Sequence, residues 1–222
     1  MSEFEVARAK VLTKSRVTVH AVDEDNDVVD NTQLPRMPGG SKVIIEHRIY
    51  EELKYLEQLT GAKKAECSFL LFGYSKGQTV VFNDIISAAP SGSSVVASFN
   101  KRQAEKLTDF CKNARRDENK IVAHGHTHPH LSYDQSGWYL NFSYGDIMGY
   151  INMREQSLVK DRVDLCGCLL TGGNFNFVFF DGNDTYRFDN VFVRGKDGGL
   201  KKLPCFGPDV ANMSHGRDMG RQ

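Results

Sequence analysis

The sequence has no excess of charge of either sign. Lysine plus arginine number 28 and aspartate plus glutamate number 28, so the chain is neutral at pH 7. A nucleic-acid partner is usually met by a basic face, and none is expected here. Long apolar runs are also missing. FLLFGY and FNFVFF are among the longest, far short of the ~20 residues that span a bilayer, so no membrane role is expected. The first ten residues, MSEFEVARAK, carry charges throughout and do not read as a secretory signal. Cysteine is sparse: five residues, an odd number without a framework spacing. That argues against a disulfide scaffold and fits reduced thiols in the cytoplasm.

What the chain does have is a concentration of histidine. Of seven in all, four lie in HGHTHPH, at His124, His126, His128 and His130. In a strand, residues i and i+2 point to the same side, ~7 Å apart along the backbone. Two imidazoles at that spacing can converge on one ion, but residues at i and i+6 cannot. At most one neighbouring pair of the four therefore binds, and Pro129 marks the end of the strand. Three pairs are possible.

The rest of the chain supplies the frame. Residues 1–40 read as an N-terminal extension, with RVTVHAV as a strand, DEDND as a turn and LPRMPGG as a breaker. Ser41 is expected to open a helix, with Ile45, Ile49, Leu53 and Leu56 on one face and Gly61 at its end. ECSFLLFGY and QTVVFNDIISA read as two strands joined at SKG, and VVASF as a third. Asn100 and Gln103 form a capping box for a second helix, with Ala104, Leu107 and Cys111 on its face. KIVAHGHTH reads as a strand. Ser143 caps a third helix with Ile147, Tyr150 and Ile151 inward. DLCGCLL, TGG and NFNFVFFD form a hairpin, followed by a strand near YRFDNVFV. Cys166 and Cys168 have no companion pair and read as small groups on one face of a strand. Residues 196–222 read as a mobile tail. The order of elements predicts an α/β or α+β sandwich occupying residues 41–195.

A metal site needs a third ligand and, for catalysis, a base. With Ser143 as the N-cap, Asp146 is the third residue of its helix. A carboxylate there suits the helix dipole alone, so capping is its plain role. Beside a histidine pair it becomes a ligand candidate. Two His and one carboxylate leave zinc an open fourth position, the catalytic arrangement. Glu66 begins the otherwise apolar stretch ECSFLLFG. Its plain role is a solvated strand end; its chemical role is a general base.

Taken together, Glu66 before a strand, HTHP at the end of a later strand, and Ser143-Tyr144-Gly145-Asp146 opening a helix resemble the JAMM (MPN+, JAB) zinc metalloprotease family. The resemblance covers roughly residues 42–193. It implies a curved mixed β-sheet flanked by helices in a single domain. It also implies one catalytic Zn²⁺ and hydrolysis of peptide or isopeptide bonds at the C-terminus of ubiquitin or a ubiquitin-like protein. By matching position it assigns His126, His128 and Asp146 as metal ligands and Glu66 as general base. Ser143 is assigned as the hydroxyl that helps hold the oxyanion.

The chain departs from the family in one place. Fourteen residues, 129–142, separate His128 from Ser143, where the family has about seven. Ser136 sits at the usual distance, but the position three beyond it is Tyr139, which cannot replace the Asp. The insertion carries Trp138 and Tyr139, which form either a surface loop or a flap over substrate, and Asp134 as a rival ligand. His124 and His130 have no matching role. GHTH is also similar to the metallophosphoesterase motif, but no Asp-x-His is present and the GND at 182–184 comes after the histidines. An MPN-type scaffold without catalysis is a further alternative.

Overall fold

The computed structural model describes residues 22–23, 28–29, 33–88, 100–114, 118–129, 141–155, 159, 162–181 and 184–206. The expected third strand, VVASF, lies outside them. So do His130, Asp134, Ser136, Trp138, Tyr139 and residues 207–222.

The described chain is a mixed α+β fold. A short antiparallel pair, β1 (Val22–Asp23) and β2 (Val28–Val29), precedes the main sheet. Nine strands then form one sheet: β3 (Lys42–Glu46), β4 (Ser68–Lys76), β5 (Thr79–Ser87), β6 (Lys120–Thr127), β7 (Asp164–Thr171), β8 (Asn174–Asp181), β9 (Asp184–Arg187), β10 (Val191–Arg194) and β11 (Leu200–Lys202). Their spatial order is β11-β10-β3-β5-β4-β6-β7-β8-β9. The pairs β10–β3, β3–β5 and β6–β7 are parallel and the rest antiparallel. Three helices pack on it: α1 (His47–Lys63), α2 (Lys101–Asn113) and α3 (Tyr144–Glu155).

Strand alternation divides the core. Cys67, Phe69, Leu71, Ala123, Cys166, Cys168 and Phe177 face one side, where Ile49, Leu53 and Leu56 of α1 cover them. Leu70, Phe72, Val122, Leu165, Leu169 and Val178 face the other, beneath Leu107 and Cys111 of α2 and Ile147, Tyr150 and Met153 of α3. The Cys-x-Cys pair is thus buried packing on one strand face, and all five cysteines are unpaired.

Several local expectations are corrected. Ser41 does not open a helix, because Val43, Ile44 and Ile45 are buried in succession. Burial on both faces and β-branching suit a strand between two parallel neighbours, and β3 sits between β10 and β5. The helix begins only at His47, so Ile45 joins the core from the strand. Gly61 does not end it; α1 runs to Lys63 and stops where Lys64 turns left-handed at φ 53°. The capping box at Asn100 and Gln103 forms, but the buried face of α2 is Gln103, Leu107 and Cys111, and Ala104 is exposed. Gln103 can be buried because its amide bonds the Asn100 N–H and the Ser68 carbonyl.

The folded unit also runs past residues 41–195 at both ends. The Met37 N–H donates to the carbonyl of Arg187 in β9, the Arg187 N–H donates to the Pro35 carbonyl, and Leu34 is buried. β11 pairs with β10, and Leu203 is buried behind it. Residues 200–203 therefore belong to the sheet rather than to a tail starting at 196. No helix among the described residues is long and apolar enough to cross a membrane.

Candidate metal centre

β6 is central, paired antiparallel to β4 and parallel to β7. Its alternation sends Val122, His124 and His126 toward α3, and Gly125 and Thr127 toward α1. Gly125 is required there: a Cβ would lie 2.2 Å from the Phe69 ring. Thr127 hydrogen-bonds Thr60 of α1 through their hydroxyls. The strand ends at Thr127, but the His128 N–H still donates to the Leu170 carbonyl at 3.0 Å. That bond keeps His128 in line with His126.

The two imidazoles meet. His126 Nε2 and His128 Nε2 are 3.0 Å apart, and both residues are buried. Asp146 Oδ2 lies 3.5 Å from His126 Nε2. One donor atom from each of His126, His128 and Asp146 falls within 4.8 Å of the others, so the three can share one metal ion. The donor chemistry fits one. Two neutral ring nitrogens facing each other need a proton or a cation between them, and a carboxylate supplies the balancing charge.

Helix α3 places the carboxylate. The Asp146 N–H donates to Ser143 Oγ at 3.0 Å, and the Ser143 N–H donates to Asp146 Oδ2 at 2.8 Å. This reciprocal cap fixes the first turn. The Ser143 hydroxyl also donates to Asp146 Oδ2 at 2.8 Å. Ser143 is therefore a cap in this geometry, and its proton is committed to Asp146.

Glu66 arrives from β4. The Cys67 N–H donates to Thr127 Oγ1 at 2.9 Å, and the Thr127 N–H donates to the Cys67 carbonyl at 3.0 Å. This pairing, one step beyond the ladder match of Ser68 with His126, sets Glu66 beside the end of β6. Its Oε1 lies 3.6 Å from His128 Nε2, with the side chain only 8% exposed. The five residues to which the resemblance gives a role thus come to one end of β4, β6 and α3.

The electrostatics follow the geometry. Burial opposes a charge on His126, but Asp146 and Glu66 outweigh it and raise the pKa of the imidazole. Burial also opposes the Asp146 carboxylate, yet His126 and the Ser143 bonds hold its pKa well below the usual range. His124 is different. Burial and the nearby His126 push its pKa down to about 3, so it stays neutral. It lies outside the donor cluster found among the described residues, and its ring meets Tyr150 edge-on at 5.2 Å.

Sequence reasoning placed Tyr150 only as an inward helix residue. Its hydroxyl lies 3.2 Å from His126 Nδ1, and burial keeps its phenol protonated. The signal available was its position four residues after Asp146, one turn along the same face.

No protein-family model matches the chain, and no curated protein does. Among solved structures, the solution structure of protein DSY2949 from Desulfitobacterium hafniense aligns with 69% of this chain and 94% of its own, at 12% identity and a TM-score of 0.38. A likeness that loose carries no argument.

Proposed function

We propose that the chain is a zinc-dependent peptidase or isopeptidase of the JAMM/MPN+ kind. Its substrate would be a ubiquitin or ubiquitin-like precursor or conjugate, cut at the modifier's C-terminus. The observation that supports this best is the convergence of His126, His128 and Asp146 within 4.8 Å, with Glu66 3.6 Å from His128. A structural zinc site closes with a fourth protein ligand; the three found among the described residues, with a carboxylate alongside, suit a hydrolytic one.

Zinc, held by these three residues, would supply Lewis-acid chemistry that polarises a carbonyl and lowers the pKa of water. Glu66 takes the proton from the attacking water and returns it to the departing amine, as a general base then acid. Ser143 serves the oxyanion by turning its hydroxyl proton away from Asp146, which keeps its bond from the Ser143 N–H. The buried walls around His126 and His128 exclude bulk water and strengthen each of these contacts. Five unpaired cysteines fit a reducing, cytoplasmic setting.

The test combines zinc content by mass spectrometry with cleavage of a panel of ubiquitin-like fusions, with and without a chelator. One equivalent of zinc and chelator-sensitive cleavage are expected. Zinc without cleavage of any fusion favours a binding domain, and no zinc at all overturns the reading.

A further inference from the structure

Tyr150 is a large polar side chain fully inside the domain, and the fold is arranged to admit it. Its ring lies over Gly167 in the middle of β7. A Cβ at Gly167 would fall 2.5 Å from Tyr150 Cε2 and 2.8 Å from Val178 Cγ2. Gly167 is the β7 partner of His124 in the ladder, so the ring also packs edge-on against that imidazole. Phe142 and Phe180 close the remaining sides at 6.0 and 5.6 Å between ring centroids. What this apolar seat holds in place is one polar atom, the hydroxyl, 3.2 Å from His126 Nδ1.

An imidazole that gives Nε2 to a metal must carry its proton on Nδ1, and that N–H needs an acceptor when buried. His126 is 3% exposed, so water does not readily serve. The metal-centre reading above is the footing for the next step. We propose that Tyr150 is a positioning residue: its hydroxyl oxygen accepts the Nδ1–H of His126, fixing the tautomer and ring orientation that turn Nε2 toward the metal. Gly167 is the companion residue that leaves room for it. Tyr150 touches no reacting atom and acts only through His126.

The experiment compares the native full-length chain with Tyr150→Phe and Gly167→Ala. Zinc affinity is measured by competition with a chromophoric chelator, and melting temperature alongside. Tyr150→Phe keeps the ring and should keep the fold while binding zinc about 10- to 100-fold more weakly, the usual cost of losing such a partner. Gly167→Ala keeps the hydroxyl but displaces the ring, and should weaken zinc in the same direction. A purely structural tyrosine would lower the melting temperature and leave affinity unchanged in the folded fraction. Long-range ¹H–¹⁵N spectra of the zinc-loaded native chain give a readout that needs no variant. His126 should carry its proton on Nδ1 and bind through Nε2. Binding through Nδ1, or equal zinc affinity in native and Tyr150→Phe, overturns the inference while leaving the metal centre standing. A native chain that takes up no zinc overturns both.

Discussion

His126 and His128 bring their Nε2 atoms to 3.0 Å of each other although they stand on either side of a residue that points through the sheet. Thr127 between them bonds Thr60 and the Cys67 N–H on the opposite face. The alternation of a strand therefore does two jobs in three residues. It converges two donors on one side and anchors the backbone on the other.

The first prediction follows from that convergence. His126→Ala and His128→Ala should each abolish stoichiometric zinc binding. His124→Ala and His130→Ala should retain most of it. Metal analysis of the four purified variants checks this, and loss of zinc in His124→Ala with retention in either central variant would show that the ligand pair is wrong.

Glu66→Gln removes a proton acceptor while keeping its shape. Zinc content should stay near one equivalent and turnover should fall by at least ~100-fold, the scale of general-base catalysis. Single-turnover assays on the zinc-loaded variant measure it directly, and a near-native rate would rule out the base assigned to Glu66.

Ser143 has two roles to separate. As a cap, its loss in Ser143→Ala should cost about 0.5–2 kcal/mol of stability. As an oxyanion donor, it should additionally cost ~100- to 1000-fold in kcat. Ser143→Gly loses only a few tenths of a kcal/mol as a cap but also lacks the hydroxyl. A rate loss common to both variants, with a stability loss larger in Ala, identifies the catalytic part.

His124 gives a pH signature in the metal-free chain. Its folded pKa is about 3 against an ordinary value of 6.5. Between those values the unfolded chain holds a proton that the folded one does not, so stability falls as pH falls from 6.5 toward 3. The slope is at most about 1.4 kcal/mol per pH unit. His126, whose pKa is raised, works oppositely: its contribution is present below 6.5 and is lost as pH rises through its folded pKa. Asp146, held low, contributes above the ordinary Asp value and loses that contribution as pH falls. His124→Gln should therefore flatten the acid-side loss relative to native. Urea denaturation with chelator at pH 7, 5 and 4 compares the two, and parallel curves would rule out a buried neutral His124.

Much of the candidate site was legible in the sequence because its rules are local, although the spacing left three histidine pairs open and the family resemblance chose among them. The i, i+2 spacing of His126 and His128 needs only a strand, and the capping of Asp146 by Ser143 needs only the start of a helix. The boundary at Ser41 was not legible. Ile45, Ile49, Leu53 and Leu56 fit a helical period, yet Ile45 is buried by β10 and β5, strands that arrive from up to 150 residues away. A period of four apolar residues does not distinguish one helix from a strand feeding into a helix.

By itself, then, the sequence determined which residue types lie within reach along the chain: a histidine pair on one strand face, a capped aspartate, a glutamate at a strand entrance. Only the tertiary structure decided which of them meet. Glu66 reaches His128 because β4 pairs with β6, Asp146 reaches His126 because α3 covers that same sheet face, and Tyr150 finds Nδ1 because Gly167 on β7 leaves it space. Each of these contacts joins segments separated by tens of residues. Their geometry is set by sheet register and by the packing of bulky rings against a missing side chain, which no local pattern in the chain encodes.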